Sequence, residues 1–220
     1  MAGVPLTEVA PIGLKAETAH CWRVRYRDDG LVWSPWSAPQ PFTTAIGTTS
    51  ENLLVNGDAE SGTTGWTLVA GIFESLTAGE CDGINPHGGD RYFVVGGICQ
   101  TAGYGEVTQT VEIPEAFHAG VDDGKAWVEL GGWLSNWGGD DVPAMRFVLR
   151  DAAGETIATS TTLSTGESSW TWLTTSIAAP PGTRTVEVTL TGTLVSGTDN
   201  DSYIDDLSLS VGACGTLGAP

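Results

Sequence analysis

The chain has 220 residues with 27 acidic and nine basic side chains, a formal net charge of −18, 30 glycines and nine tryptophans. So acidic a surface repels phosphate backbones and anionic lipid head groups, which sets nucleic acid and membrane aside and leaves neutral ligands and divalent cations as partners. No apolar run approaches the roughly 18 residues of a spanning helix, and the opening Met1-Ala-Gly-Val-Pro-Leu-Thr-Glu8 lacks the basic and apolar regions of a signal peptide. Frequent Gly, Thr, Val and Trp predict an all-β chain with many tight turns. The charge is uneven, with four basic and four acidic residues over 1 to 50 against five and 23 over 51 to 220. That division predicts two units.

The segment from His20 to Thr44 alternates strictly. Trp22, Val24 and Tyr26 take one face, Arg23, Arg25 and Arg27 the other, and Asp29-Gly30 supplies a turn. With Trp33-Ser-Pro-Trp-Ser37 behind it, this hairpin resembles the last strands of a fibronectin type III domain and the tryptophan and serine box of that superfamily. The resemblance implies arginines of one strand stacked on tryptophans of the next by cation–π attraction. A stiffened spacer is the expected role, with receptor-like ligand binding as the alternative. The resemblance covers residues 4 to 44, roughly half of what two closed sheets need. Strands that should precede Met1 are therefore expected to be missing, leaving one side of this piece poorly packed. Residues 45 to 51 read as a linker.

From 52 to 211 the pattern predicts strands near 53–55, 66–69, 92–96, 106–113, 125–135, 144–150, 155–161, 171–176, 184–191 and 203–210, and no helix. A two-sheet jelly-roll β-sandwich satisfies this with the fewest assumptions, followed by a tail over 212–220. Cys81 and Cys99 flank a Gly-rich, hairpin-like stretch, a spacing that lets them meet as a disulfide across neighbouring strands. Free thiols in a reducing compartment are the alternative, and Cys21 and Cys214 are expected to be unpaired.

Two short segments carry the strongest signal. Asn52-Leu-Leu-Val-Asn-Gly-Asp-Ala-Glu-Ser-Gly-Thr-Thr-Gly-Trp66 reads as a short strand, a turn and an acidic cluster. In Tyr203-Ile-Asp-Asp-Leu-Ser-Leu209, Asp205 falls in phase with Leu207 and Leu209, on the inward face. No Lys or Arg lies near either segment, so a cation shared between Glu60 and Asp205 would neutralise that charge. The alternative is that these acids cap turns in solvent. Together with His87-Gly-Gly-Asp-Arg-Tyr-Phe93, the two segments resemble the corresponding stretches of carbohydrate-binding modules with the galactose-binding-like jelly roll. Residues 131–141 and 150–154 are similar to a secreted bacterial variant. The resemblance implies a structural calcium tying together the first strand, the loop after the central His-Gly stretch and the last strand. Glu60 and Asp205 would be side-chain ligands, and Asp58 and Asp90 would contribute backbone or carboxylate oxygens. Hard oxygen donors suit calcium rather than zinc.

The ligand surface is sought on the strand over 125–135. Ala126, Val128, Leu130 and Leu134 take the core face, while Trp127, Glu129, Trp133 and Ser135 take the other. The next strand adds Arg146 and Arg150 opposite Phe147 and Leu149, and Trp137, Asp140, Asp141, Asn200 and Asp201 follow in loops. An aromatic platform edged by Asp, Glu, Asn and Arg matches the C–H faces and hydroxyl rim of a sugar. Packing is the competing fate for these tryptophans, as for Trp66, Trp170 and Trp172. Asn200-Asp-Ser202 also fits a glycosylation acceptor.

No nucleophile elbow, metalloprotease or phosphate-binding motif occurs. The acid pairs 122/123, 140/141 and 205/206 are adjacent, and adjacent strand residues oppose each other and cannot flank one bond. A pair assembled from different strands stays open. The expectation is a non-catalytic, calcium-stabilised module for neutral carbohydrate, monomeric within an extracellular, bacterial multidomain chain. A structural or adhesive sandwich and a glycan-degrading enzyme are the rivals.

Overall fold

A computed structural model describes residues 19–27, 30, 32–43, 47–138 and 140–214. They form two compact units, one reaching Thr48 and including Cys214, the other spanning Thr49–Ala213.

In the first unit, β1 (Ala19–Trp22) pairs antiparallel with β2 (Gln40–Thr43). Between them, the amides of Ser34 and Ser37 donate to the carbonyls of Tyr26 and Val24, and their hydroxyls accept the amides of the same two residues. This locks the stack of side chains above. The Arg25 guanidinium lies 4.3 Å from the ring centroid of Trp33 and 4.4 Å from that of Trp36, with Arg23 over Trp36 and Arg27 over Trp33. The expected cation–π ladder is present. Trp22, Val24 and Tyr26 are exposed. The expectations for residues 1–18, the turn at Asp29, linker residues 45 and 46 and tail residues 215–220 lie outside the described residues. Within the expected linker, Gly47–Thr49 is a short strand, β3.

The second unit is built from β4 (Thr67–Ala70), β5 (Phe73–Thr77), β6 (Arg91–Val95), β7 (Tyr104–Glu112), β8 (Ala126–Ser135), β9 (Val142–Asp151), β10 (Thr156–Thr159), β11 (Leu163–Ser164), β12 (Thr171–Ala178), β13 (Thr183–Thr193) and β14 (Tyr203–Cys214). A front sheet runs β10-β9-β13-β7-β4, with β11 on β9, and a back sheet runs β12-β8-β14-β6-β5. All pairings are antiparallel. This is the expected two-sheet sandwich. Because strand side chains alternate between faces, each sheet turns every second residue inward. Val107, Met145, Phe147, Leu149, Val186, Val188 and Leu190 meet Phe93, Val95, Val128, Leu130, Leu134, Ile204, Leu209 and Val211 in one core.

Several expectations need correction. Residues 53–55 form no strand, because side chains replace a ladder: Asn52 Oδ1 accepts the Leu54 amide, and the Gln109 carboxamide both accepts from and donates to the backbone of Val55. The strand β5 was not anticipated. A helix, α1 (Glu115–Asp122), closes one end of the sandwich. It is eight residues long and fully buries only Val121, so its period is too short to read. Gly120 lets it approach β14, since a Cβ there would stand 2.7 Å from that of Ala213. The closing strand continues past 211 to Cys214. Cys81 and Cys99 are joined, with Cα atoms 5.3 Å apart, while Cys21 and Cys214 are free and exposed.

Candidate functional site

The acidic segments meet at one loop, residues 87–91. Asp205 Oδ2 accepts the amides of His87 (2.8 Å) and Gly88 (3.2 Å), and its Oδ1 accepts that of Asp206. From the other side, Glu60 Oε1 accepts the amides of Asp90 (2.7 Å) and Arg91 (2.9 Å). The loop passes so close that a Cβ on Gly89 would stand 2.1 Å from Glu60 Oε1. Asp205 is fully buried, but not in the core. The ladder shifts register between Asp205 and Ser208, and Asp206 takes a left-handed φ of 45°. A bulge of one residue flips every side chain before it to the opposite face. Ile204, rather than Asp205, therefore points inward with Leu207, and Asp205 lies opposite Trp133 on the outer face, sealed by the loop. Burial pushes its carboxyl up to about 7.

The bulge also overturns the opposed-face reading of the 205/206 pair. Both carboxylates reach the same loop, Asp206 through a 2.6 Å contact between its Oδ2 and His87 Nδ1. Asp58 and Asp90 are exposed, and Asp58 Oδ1 receives the Glu60 amide at 3.5 Å. Among the described residues, no three His, Cys, Asp or Glu side chains group closely enough to hold a metal by themselves. A cation here would depend on backbone oxygens as well. The donors are all oxygen, which fits calcium in kind.

The predicted aromatic platform on the back sheet is largely built over. The His87 ring stacks on Trp133 with centroids 3.9 Å apart and planes 16° apart, so one indole face is already covered. Trp172, the cross-strand partner of Trp133, lies over Gly131, where a Cβ would be 2.4 Å from its ring. Trp127 lies over Gly212 in the same way. Trp170 donates its Nε1–H to the Asn85 carbonyl. Tyr92, Val94 and Tyr203, also on the outer face, are buried with Leu76 and Ile98 in a second apolar cluster. Glu129 is exposed, and Trp172 is 43% exposed.

The loop-end acids are occupied in holding the loops. Asp141 is 2% exposed; its Oδ1 accepts the Val195 and Ser196 amides and its Oδ2 that of Asp201. Asp140 accepts the Ser196 hydroxyl, and Asp201 accepts the phenol of Tyr203. Asn200 is fully buried, bonded to the Ala102 carbonyl and the Ser202 hydroxyl. Neither a sugar ligand nor a glycosylating enzyme reaches Asn200. Trp137 stands in this region 62% exposed.

Arg146 does not join the platform either. The periodicity says correctly that it faces away from the core, but β8 and β9 belong to different sheets, so Arg146 lies on the outer face of the front sheet. Cross-strand register puts it in one row with Thr189 and Thr108. The neighbouring rows hold Ala144, Thr191 and Glu106 on one side and Val148, Glu187 and Thr110 on the other. Tyr104 sits one outward position beyond Glu106, and its hydroxyl donates to Glu106 Oε2 at 2.6 Å. Burial and the Glu106 carboxylate push that phenol up to about 12, so it stays a neutral donor. Although they point outward, Ala144, Val148 and Thr189 are only 6%, 5% and 2% exposed. The longer side chains around them cover these small residues on the outer face of β9, β13 and β7. Thr189, Glu106 and Tyr104 were missed in the sequence, where nothing said which strands would lie beside Arg146.

No protein-family model matches the chain, and no curated protein sequence matches it. Among solved structures, it is similar to the enzymatically active domain of bacteriophage CBA120 tailspike protein 4, with a TM-score of 0.51 and 18% identity over 72% of this chain and 21% of that one. It thus spans about a fifth of the tailspike chain. It is also similar to a family 16 carbohydrate-binding module (TM-score 0.47, 20% identity, 72% of this chain and 99% of that one). A third is TmCBM61 in complex with beta-1,4-galactotriose (0.47, 19%, 73% and 98%). At 18% identity the tailspike likeness speaks to the fold alone.

Proposed function

We propose that the second unit is a non-catalytic carbohydrate-binding module whose ligand lies on the outer face of the front sheet. The row of outward groups on β9, β13 and β7 carries this reading, because it gathers groups that recognise sugars: the Tyr104 ring, the Arg146 guanidinium, the Glu106 carboxylate and threonine hydroxyls. A sugar offers C–H faces to an aromatic ring and hydroxyls to such donors and acceptors. The order of the opening, central and closing motifs, similar to that of carbohydrate-binding modules, supports the same reading.

Catalysis is disfavoured by spacing. Glu106 and Glu187 lie one strand and four residues apart, about 14 Å between Cα atoms from ideal strand geometry, wide for the roughly 5–10 Å between carboxyls that glycoside cleavage uses. Both are also engaged, Glu106 by Tyr104 and Glu187 by Arg150.

Calcium has a structural part in this proposal: Glu60 and Asp205 would hold it, with oxygens of Asp58 and Asp90, and it would pin the 87–91 loop to both ends of the module. The module would work outside the cell, behind the arginine–tryptophan spacer of the first unit. A glycan array on the wild type and Tyr104→Ala tests the proposal. Binding that disappears in the variant supports it. An array with no binder leaves the structural or adhesive sandwich.

A further inference from the structure

We infer that the outer face of the front sheet takes a sugar bearing a carboxylate, a uronic acid, which pairs with Arg146. This rests on the carbohydrate reading of the same face and goes beyond it in naming the class of ligand. The module has five basic residues, and four are committed. Arg91 donates to Ser75, Arg150 pairs with Glu187 at 2.7 Å, Arg184 with Asp122 at 2.8 Å, and Lys125 with Asp123 at 3.0 Å. Arg146 makes no hydrogen bond or ion pair among the described residues, although it is half-buried and its module carries 23 carboxylates.

Its surroundings explain why. Directly across the ladder stand threonines, and along its own strand Ala144 and Val148. Glu106 is two strands and two residues away, about 12 Å between Cα atoms from ideal strand spacing, and its carboxylate holds the Tyr104 hydroxyl. A half-buried guanidinium without a direct ion pair bears a desolvation cost, and hydroxyls alone do not cancel the charge. A carboxylate does, through two parallel N–H···O bonds that match the planar fork. The net charge of −18 argued for neutral partners. That field is screened beyond about 8 Å at physiological salt. It slows approach more than it governs contact.

The test measures binding of short oligogalacturonides, oligoalginates and glucuronoxylan oligomers, each beside its carboxyl-reduced form, at constant calcium. Calorimetry would follow the full chain, Arg146→Gln, Arg146→Lys and Tyr104→Ala, with melting curves confirming that each variant folds. At least one acidic oligomer should bind about tenfold or more tighter than its reduced form. Arg146→Gln should erase that preference, Arg146→Lys should keep only part of it, and raised salt should narrow it. If reduced or otherwise neutral oligomers bind as tightly, and Tyr104→Ala abolishes that binding, the uronic-acid assignment falls while the sugar site stands. If no oligomer binds and a glycan array is also blank, both fall together.

Discussion

On the back sheet, the outward positions carry large rings, Tyr92, Tyr203 and Trp133, and the chain covers them itself with the disulfide-tied segment and the His87 loop. On the front sheet many outward positions are short, Ala144, Val148, Thr189 and Thr191, and the groups that stand up around them include a guanidinium with no hydrogen-bond or ion-pair partner among the described residues. The aromatic content of a face is thus a poor guide to its use. A ring-rich face can be a second core, whereas a face of small side chains ringed by polar ones leaves room and unmet hydrogen-bonding capacity for something else. On the proposed reading the back face serves stability and the front face binding, and each assignment can be broken separately.

The largest effect is expected on the back face. Asp205→Ala removes the fully buried carboxylate that accepts three part-buried backbone amides, which should cost about 3 kcal/mol and lower the melting temperature by about 10 °C. Glycan affinity measured well below that melting point should change less than about twofold. A loss of affinity in the folded variant would show that the faces are coupled. Next, calcium at a hundredfold excess over its dissociation constant should stabilise the module by about 2.7 kcal/mol relative to excess chelator. An unchanged transition would remove the metal from the account. Tyr104→Ala should weaken glycan binding about 30-fold, near 2 kcal/mol, with the melting curve nearly unmoved.

A separate effect should appear with pH in excess chelator. The Asp205 carboxyl, ordinarily near 3.9, is pushed up to about 7 by burial in the folded chain. Between those values the folded state holds a proton that the unfolded state has released, so stability should fall as pH rises from about 4 to 7. Asp205→Asn should flatten this slope in melting curves across that range, and a slope of the same size in the variant would assign it to other groups. Smallest of all, Trp172→Ala should change glycan affinity less than about twofold, and a tenfold loss would move the site to the back face.

The sandwich was legible because the core strands alternate cleanly, as in β8 and β13. The partition of strands between sheets was not, since a period of two says which side chains share a face of one strand and nothing about which strand lies beside it. Arg146 was therefore grouped with Trp133, though the sandwich stands between them. The phase of Asp205 failed for a local reason, the extra residue at Asp206. The spacing of Cys81 and Cys99, by contrast, translated directly into a bond, because both flank one compact loop. The arginine–tryptophan ladder was equally readable, since hairpin neighbours in sequence are neighbours in space. His87 stacking on Trp133 left no trace in either segment alone.

The most direct test is to map amide chemical-shift changes in the isotope-labelled chain as the tightest-binding oligosaccharide is added. The account predicts changes concentrated at Tyr104, Glu106, Arg146 and Thr189, on β7, β9 and β13. Changes centred on Trp133 and Trp172, on β8 and β12, with the front sheet silent, would contradict it.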